Sequence, residues 1–162
     1  ISDDMLRGIN DEYDARALYA EKYAPVAECG FITNDKWGFT LGYSPDALVG
    51  DDGLIECKSR RQKYQMETIV HGKMPEDYAL QVQTGLLVSE RSWLDFVSYS
   101  GGLPMFTLRV YPDPKAQEAI IEAATRFEEA MSVALDNYKD KLANPVFRLV
   151  PTERTIEREI RV

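Results

Sequence analysis

Ser44-Pro45-Asp46-Ala47-Leu48-Val49-Gly50-Asp51-Asp52-Gly53-Leu54-Ile55-Glu56-Cys57-Lys58 is the stretch on which the fold turns. Asp51-Asp52-Gly53 is a hairpin signal, so residues 54–58 read as a strand folded back beside Leu48 and Val49. Side chains two apart on a strand share a face. Glu56 and Lys58 therefore point one way, with Leu54 before them, while Ile55 and Cys57 point the other way and can be buried. The reversal at the turn carries Asp46 towards Glu56.

That grouping suits phosphodiester hydrolysis. The charge of a phosphodiester repels an incoming hydroxide. Two carboxylates can hold Mg²⁺, a hard cation that prefers oxygen ligands. The ion offsets charge growing on the phosphoryl oxygens. A lysine beside it can orient or deprotonate the attacking water. Spacing alone leaves a plainer reading open, in which Asp46 caps a turn and Glu56-Cys57-Lys58 is a solvated strand edge.

Outward from this centre, residues 11–23 are rich in helix formers and stop before Pro25. Residues 26–33 and 37–43 read as short strands, with a turn at Asn34-Asp35 between them. Together with 48–49 and 54–58 they would make a strongly bent antiparallel unit. Residues 60–69 are polar and helical in pattern. Pro75 opens a helix over 76–88, with Ala79, Val82 and Leu86 on one side. Strands over 93–99 and 105–111 flank Gly101-Gly102 as an antiparallel pair. A long helix from Pro114 to about Tyr138 carries the stripe Ile120, Ala124, Phe127, Met131, Leu135 and Tyr138. A charged tail follows Pro145.

The stretch resembles the core of the lambda-type phage exonucleases and YqaJ-like alkaline exonucleases, members of the restriction-endonuclease-like PD-(D/E)xK nucleases. Ser44-Pro45-Asp46 and Gly53-Leu54-Ile55-Glu56-Cys57-Lys58 carry the central motif. Residues 8–19 resemble the family's helix with a further acidic ligand, at Glu12. Residues 78–83 resemble its glutamine motif, at Gln81, and 93–99 the strand that follows. The four blocks occur in the family's order from residue 8 to about 111.

The resemblance implies an α/β fold with a restriction-endonuclease-like core, its central mixed sheet flanked by helices. It implies two Mg²⁺ ions, replaceable by Mn²⁺, and 5′ to 3′ exonuclease action on linear double-stranded DNA in phage-type recombination. Asp46 and Glu56 would be metal ligands with the backbone carbonyl of Cys57, Glu12 would serve the second ion, Lys58 would act on water and Gln81 would position water or a ligand. The family also raises a homotrimer and a single-strand annealing protein as partners, and a bacterial or phage-infected cytoplasm as the setting. A structure-specific endonuclease of the same fold, or a catalytically weak DNA-binding or assembly subunit, stays open. The chain reads as one nuclease domain over 1–162 that lacks part of the family's N-terminal helical region.

Other residues have two readings each. Arg16 shares Glu12's helix face and could orient it, touch phosphate or simply pair with it. Lys58, Arg60, Arg61 and Lys63 form the densest basic run, which suits phosphate contact or a solvated face; Lys73 is a further candidate. Gln83 lies off Gln81's helix face. His71 stands alone, without the partners a zinc site needs. Ser44 is a turn residue, and the Cys57 thiol a core group. Trp37, Trp93, Tyr99 and Phe106 read as packing groups. The 100–104 loop could hold a wedge for a DNA end.

The bulk composition sets bounds. With 162 residues, 44% hydrophobic, the chain can bury one sizeable core. A net charge of −8 argues against a passive nucleic-acid coat but suits a cluster of carboxylates that holds cations. Two cysteines make no disulfide scaffold, and no apolar run reaches membrane-spanning length.

Overall fold

The structure is a computed structural model that describes residues 2–153. In order the chain forms α1 (Asp3–Lys22), β1 (Val26–Ala27), β2 (Ile32–Asn34), β3 (Leu41–Tyr43), β4 (Ala47–Val49), β5 (Gly53–Ser59), α2 (Gln62–His71), a 3₁₀ turn (Glu76–Tyr78), α3 (Ala79–Ser89), β6 (Trp93–Tyr99), β7 (Phe106–Val110) and α4 (Pro114–Leu142). Of the charged tail expected after Pro145, the part from 154 onward lies outside the described residues. No described helix is long and apolar enough to cross a membrane.

The chain divides into two units, one over 1–124 and a second from Thr125. The first holds the mixed sheet β1-β4-β5-β6-β7. Only β5 and β6 run parallel; every other neighbouring pair is antiparallel. The second contains the rest of α4, which buries no residue along its whole length. Phe127, Met131, Leu135 and Tyr138 of the predicted stripe are all exposed.

Alternation along β5 gives the sheet two buried faces. Ile55 and Cys57 pack with Val97 against Ala15 and Tyr19 of α1. Leu54 packs with Leu94 and Phe96 against Val82 and Leu86 of α3, and with Tyr43. Each fully buried Leu or Ile contributes about 1.5–3 kcal/mol, so β5 anchors the fold from both sides. Its four residues from Leu54 to Cys57 are all buried, which rules out a solvated strand edge.

One polar group is built into the α1 face. Asp95 of β6 is 4% exposed. It takes a two-pronged contact from Arg109 of β7, with Nε 2.8 Å from Oδ1 and Nη2 2.9 Å from Oδ2, and a hydrogen bond from the Tyr19 hydroxyl at 2.6 Å. The Arg109 guanidinium lies 3.6 Å from the Trp93 ring centre. This cluster ties α1 to β6 and β7.

Three local expectations are corrected. α1 starts eight residues before position 11, because Ser2 caps it by accepting the Met5 N–H at 3.3 Å. The predicted 26–33 strand is two pieces: β1 joins the main sheet, while β2 pairs with β3 in a separate hairpin. The 37–43 strand is only β3, since residues 35–38 form a turn closed by Gly38 N–H to the Asp35 carbonyl at 3.1 Å. The early strands are thus two hairpins in two sheets, and not one bent unit.

Candidate active site

Glu56 sits on the α3 face of β5 and is 2% exposed. An isolated buried carboxylate would be costly, and three elements supply its partners. Lys58, two residues on along β5, donates to Oε1 at 2.6 Å. Gln81 of α3 donates to the same oxygen at 2.6 Å. The Tyr43 hydroxyl, from β3, donates to Oε2. Gly85 permits this last contact: a Cβ there would stand 2.6 Å from the Tyr43 ring, so only glycine lets the ring lie so close to α3. Gln83 is turned away, donating to the Tyr111 carbonyl at 3.0 Å and accepting from Asp113 N–H at 2.8 Å.

Asp46 meets β5 at the end of the ladder. Pairing runs from Val49↔Gly53 to Ala47↔Ile55. One residue further, the Asp46 side chain accepts the Cys57 N–H at 2.5 Å. The Asp46 backbone N–H bonds the Ile55 carbonyl at 3.3 Å, which is where the pairing of β4 with β5 ends. Burial and the charges of Glu56 and Glu12 push the Asp46 carboxyl up to about 7, against the pull of the Cys57 N–H and Lys58. A carboxyl held so uneasily as an anion is one that a cation would stabilise. The Cys57 thiol is pushed upward by burial and then by Asp46, Glu12 and Glu56. It stays protonated, as a core group does.

Glu12 reaches this centre from α1, through Arg16. Arg16 Nη1 donates to the Asp46 backbone carbonyl at 3.1 Å and lies 3.4 Å from Glu12 Oε1. Its other nitrogen is 3.8 Å from Glu28. These contacts suit orientation of Glu12 and a simple ion pair alike. Arg60 donates to the Tyr78 hydroxyl at 2.8 Å; Arg61 and Lys63 are exposed at the start of α2. His71 and Lys73 line a pocket of about 290 Å³ beside Arg60, whose wall also carries Glu67 and Glu76.

The donor set of Asp46, Glu56, Glu12 and the Cys57 carbonyl is all oxygen and mostly anionic. It fits a hard divalent ion such as Mg²⁺ or Mn²⁺ better than zinc. Among the described residues, no three acidic, histidine or cysteine side chains are already gathered around one point. The geometry gives the reason. Glu56 is held by Tyr43, Lys58 and Gln81, Asp46 by the Cys57 amide, and Glu12 by Arg16.

Sequence reasoning missed Tyr43 and Tyr78. Tyr43 directly precedes Ser44-Pro45-Asp46, and a buried tyrosine needs a partner for its hydroxyl. That signal could have found it. Tyr78 stands three residues before Gln81, and Lys58 Nζ lies 5.3 Å from its ring centre; nothing in spacing alone marks it.

Comparison with known proteins agrees with this architecture. Residues 2–92 match the model of a YqaJ-like viral recombinase domain. The alkaline exonuclease LHK-Exo from Laribacter hongkongensis is 37% identical, with a TM-score of 0.75 over 88% of this chain and 77% of its own. LHK-Exo in complex with dAMP is 38% identical over the same shares, with the same TM-score. SSO0001, 12% identical, shares the fold at a TM-score of 0.55 over 76% of this chain and 59% of its own. No match is found among curated protein sequences. The mixed sheet with flanking helices is a restriction-endonuclease-like core.

Proposed function

The chain belongs to the YqaJ-like viral recombinase domain family, and from that premise we propose that it is a divalent-metal-dependent nuclease that degrades linear double-stranded DNA from 5′ to 3′ in phage-type recombination. The observation that carries this reading is the buried Glu56, bracketed by Lys58, Gln81 and Tyr43 at the edge where Asp46 ends the ladder.

Asp46, Glu56 and the Cys57 carbonyl would hold a catalytic Mg²⁺ ion, and Glu12 would serve a second; bound there, the ions would offset charge on the phosphoryl oxygens. Lys58 is the general acid–base and charge-stabilising group. Its ammonium pairs with Glu56, so it would stand where water must be oriented and where phosphorane charge develops. Gln81 keeps one Glu56 oxygen in place and can offer its amide to water. Tyr43 donates to the other oxygen. Arg16 holds the Asp46 main chain and Glu12 together. Arg60, Arg61 and Lys63 contact phosphates.

Assembly as a homotrimer, work beside a single-strand annealing protein, and a place in the bacterial or infected-cell cytoplasm belong to the same proposal. The net charge of −8 favours a shared channel, because one subunit offers only a local basic patch.

The test uses linear duplex labelled at the 5′ or the 3′ end, beside closed circular DNA, with Mg²⁺ or EDTA. The 5′ label is expected to leave first, only with metal, while circles persist. Digestion of circles would replace the exonuclease with an endonuclease. If Glu56→Gln and Lys58→Ala both digest DNA as fast as the parent, the site is wrong.

A further inference from the structure

Arg16 of α1 touches three groups at once. Nη1 donates to the Asp46 main-chain carbonyl at 3.1 Å and lies 3.4 Å from Glu12 Oε1. Nη2 stands 3.8 Å from Glu28 Oε1. Glu12 and Arg16 are one turn apart on the same helix face. Glu28 comes from the stretch between β1 and β2, and its side chain is 82% exposed. An ion pair that exposed adds little to stability, so holding the fold together does not account for it.

The charges around Arg16 say what Glu28 can do. Glu12 and Asp46 repel each other: the charge of Glu12 is among the causes that push the Asp46 carboxyl upward. In the metal-free protein Arg16 offsets that repulsion, because its guanidinium lies against both residues. A divalent ion held by Glu12 reverses the balance. A guanidinium keeps its charge, so beside Glu12 it would compete for the carboxylate and repel the ion. It then needs another acceptor. Glu28 offers one at its second nitrogen, and a pocket of about 250 Å³ lined by Tyr13, Arg16, Val26 and Glu28 gives it room to move.

We propose that Glu28 is a positioning residue for metal binding, which takes the Arg16 guanidinium when Glu12 turns to an ion and so sets how tightly that ion is held. The inference rests on Glu12 being a metal ligand, as proposed above, and it adds an exchange of partners by Arg16 between Glu12 and Glu28.

The experiment titrates the intact protein with Mn²⁺ in a calorimeter, without DNA. Glu12→Gln first identifies the Mn²⁺ site that depends on Glu12, as the one it removes. Glu28→Gln is expected to weaken that site about 1.4- to 5-fold, the range of one exposed ion pair. Arg16→Gln is expected to tighten it by a factor of the same order, since Glu12 loses its competitor. With Arg16→Gln already in place, Glu28→Gln is expected to change nothing. Thermal melting checks that each variant is folded, and Arg16→Met, which keeps part of the aliphatic stem, takes the place of Arg16→Gln if that variant is not. Parent-like affinity in Glu28→Gln overturns the exchange. So does a loss that persists without Arg16, because Glu28 would then act on the ion directly. Weaker binding in Arg16→Gln also overturns it, and makes Arg16 a fixed support for Glu12. If Glu12→Gln removes no site, the ligand assignment falls and the exchange with it; if Glu12→Gln removes a site that Glu28→Gln leaves unchanged, only the exchange falls.

Discussion

Glu56 and Asp95 are both buried carboxylates, on adjacent strands and opposite faces of one sheet. Asp95 is closed. A guanidinium fork takes both its oxygens and a tyrosine hydroxyl adds a third bond. Glu56 is held by three single contacts, from an ammonium, an amide and a hydroxyl, each on a different element. A fork is geometrically exacting and hard to exchange. Separate donors can give way one at a time. The contrast separates a carboxylate that fastens the fold from the one proposed to change partners in a reaction.

The sharpest way to break this contrast is to remove each charge in turn. Glu56→Gln should lower DNA hydrolysis by about 10²- to 10⁴-fold while thermal melting stays near the parent's. Asp95→Asn should do the reverse. It should cost about 1–3 kcal/mol in denaturant unfolding, less than a fully buried pair because Arg109 is about half exposed, and leave turnover largely intact. Equal effects of the two variants on activity would dissolve the distinction.

A smaller effect tests the hydroxyl that both sites share in kind. Tyr43→Phe keeps the ring against α3 and removes only the bond to Glu56. Outer partners of ligands of this sort are worth about 10- to 100-fold, so divalent-ion affinity by calorimetry and turnover should both fall by that order, with KM for DNA unchanged. Tyr19→Phe, the counterpart at Asp95, should leave ion affinity where it was.

The smallest effect is on pH. The folded Asp46 carboxyl titrates near 7, above its ordinary 3.8. The folded, metal-free protein therefore binds a proton more tightly than the unfolded chain. That contribution to stability is full below the ordinary value and is lost as pH rises through about 7. Melting without metal should fall across that window, and Mg²⁺ should raise it more above 7 than well below. A metal-induced shift independent of pH would count against Asp46 as a ligand.

Much of this was legible in the chain. The Asp51-Asp52-Gly53 signal and the alternation after it gave β5, its two faces and the approach of Asp46 to Glu56, because a hairpin and a two-residue period leave little freedom. The choice of Gln81 over Gln83 followed from helix geometry and the family's order, and the two side chains do go to different places. The start of α1 and the split of the 26–33 segment were not legible. Strands of two or three residues are assigned by their neighbours, which periodicity cannot see. Tyr43 and Tyr78 were hidden for a related reason: their roles exist only where β3 and the 3₁₀ turn come against β5.

Arg91 gives the hairpin a further meaning. Its guanidinium donates to the carbonyls of both Gly50 and Gly53, at 2.9 and 2.8 Å, and so clamps the turn between β4 and β5. The turn acts as a caliper for the site some residues away. Its length fixes which residue of β4 faces which residue of β5, and one residue more or less would send every side chain beyond it to the opposite face. Asp46 and Glu56 would then be parted without either being touched. The spacing of Asp46 and Glu56 is thus set at a surface turn that lies apart from both.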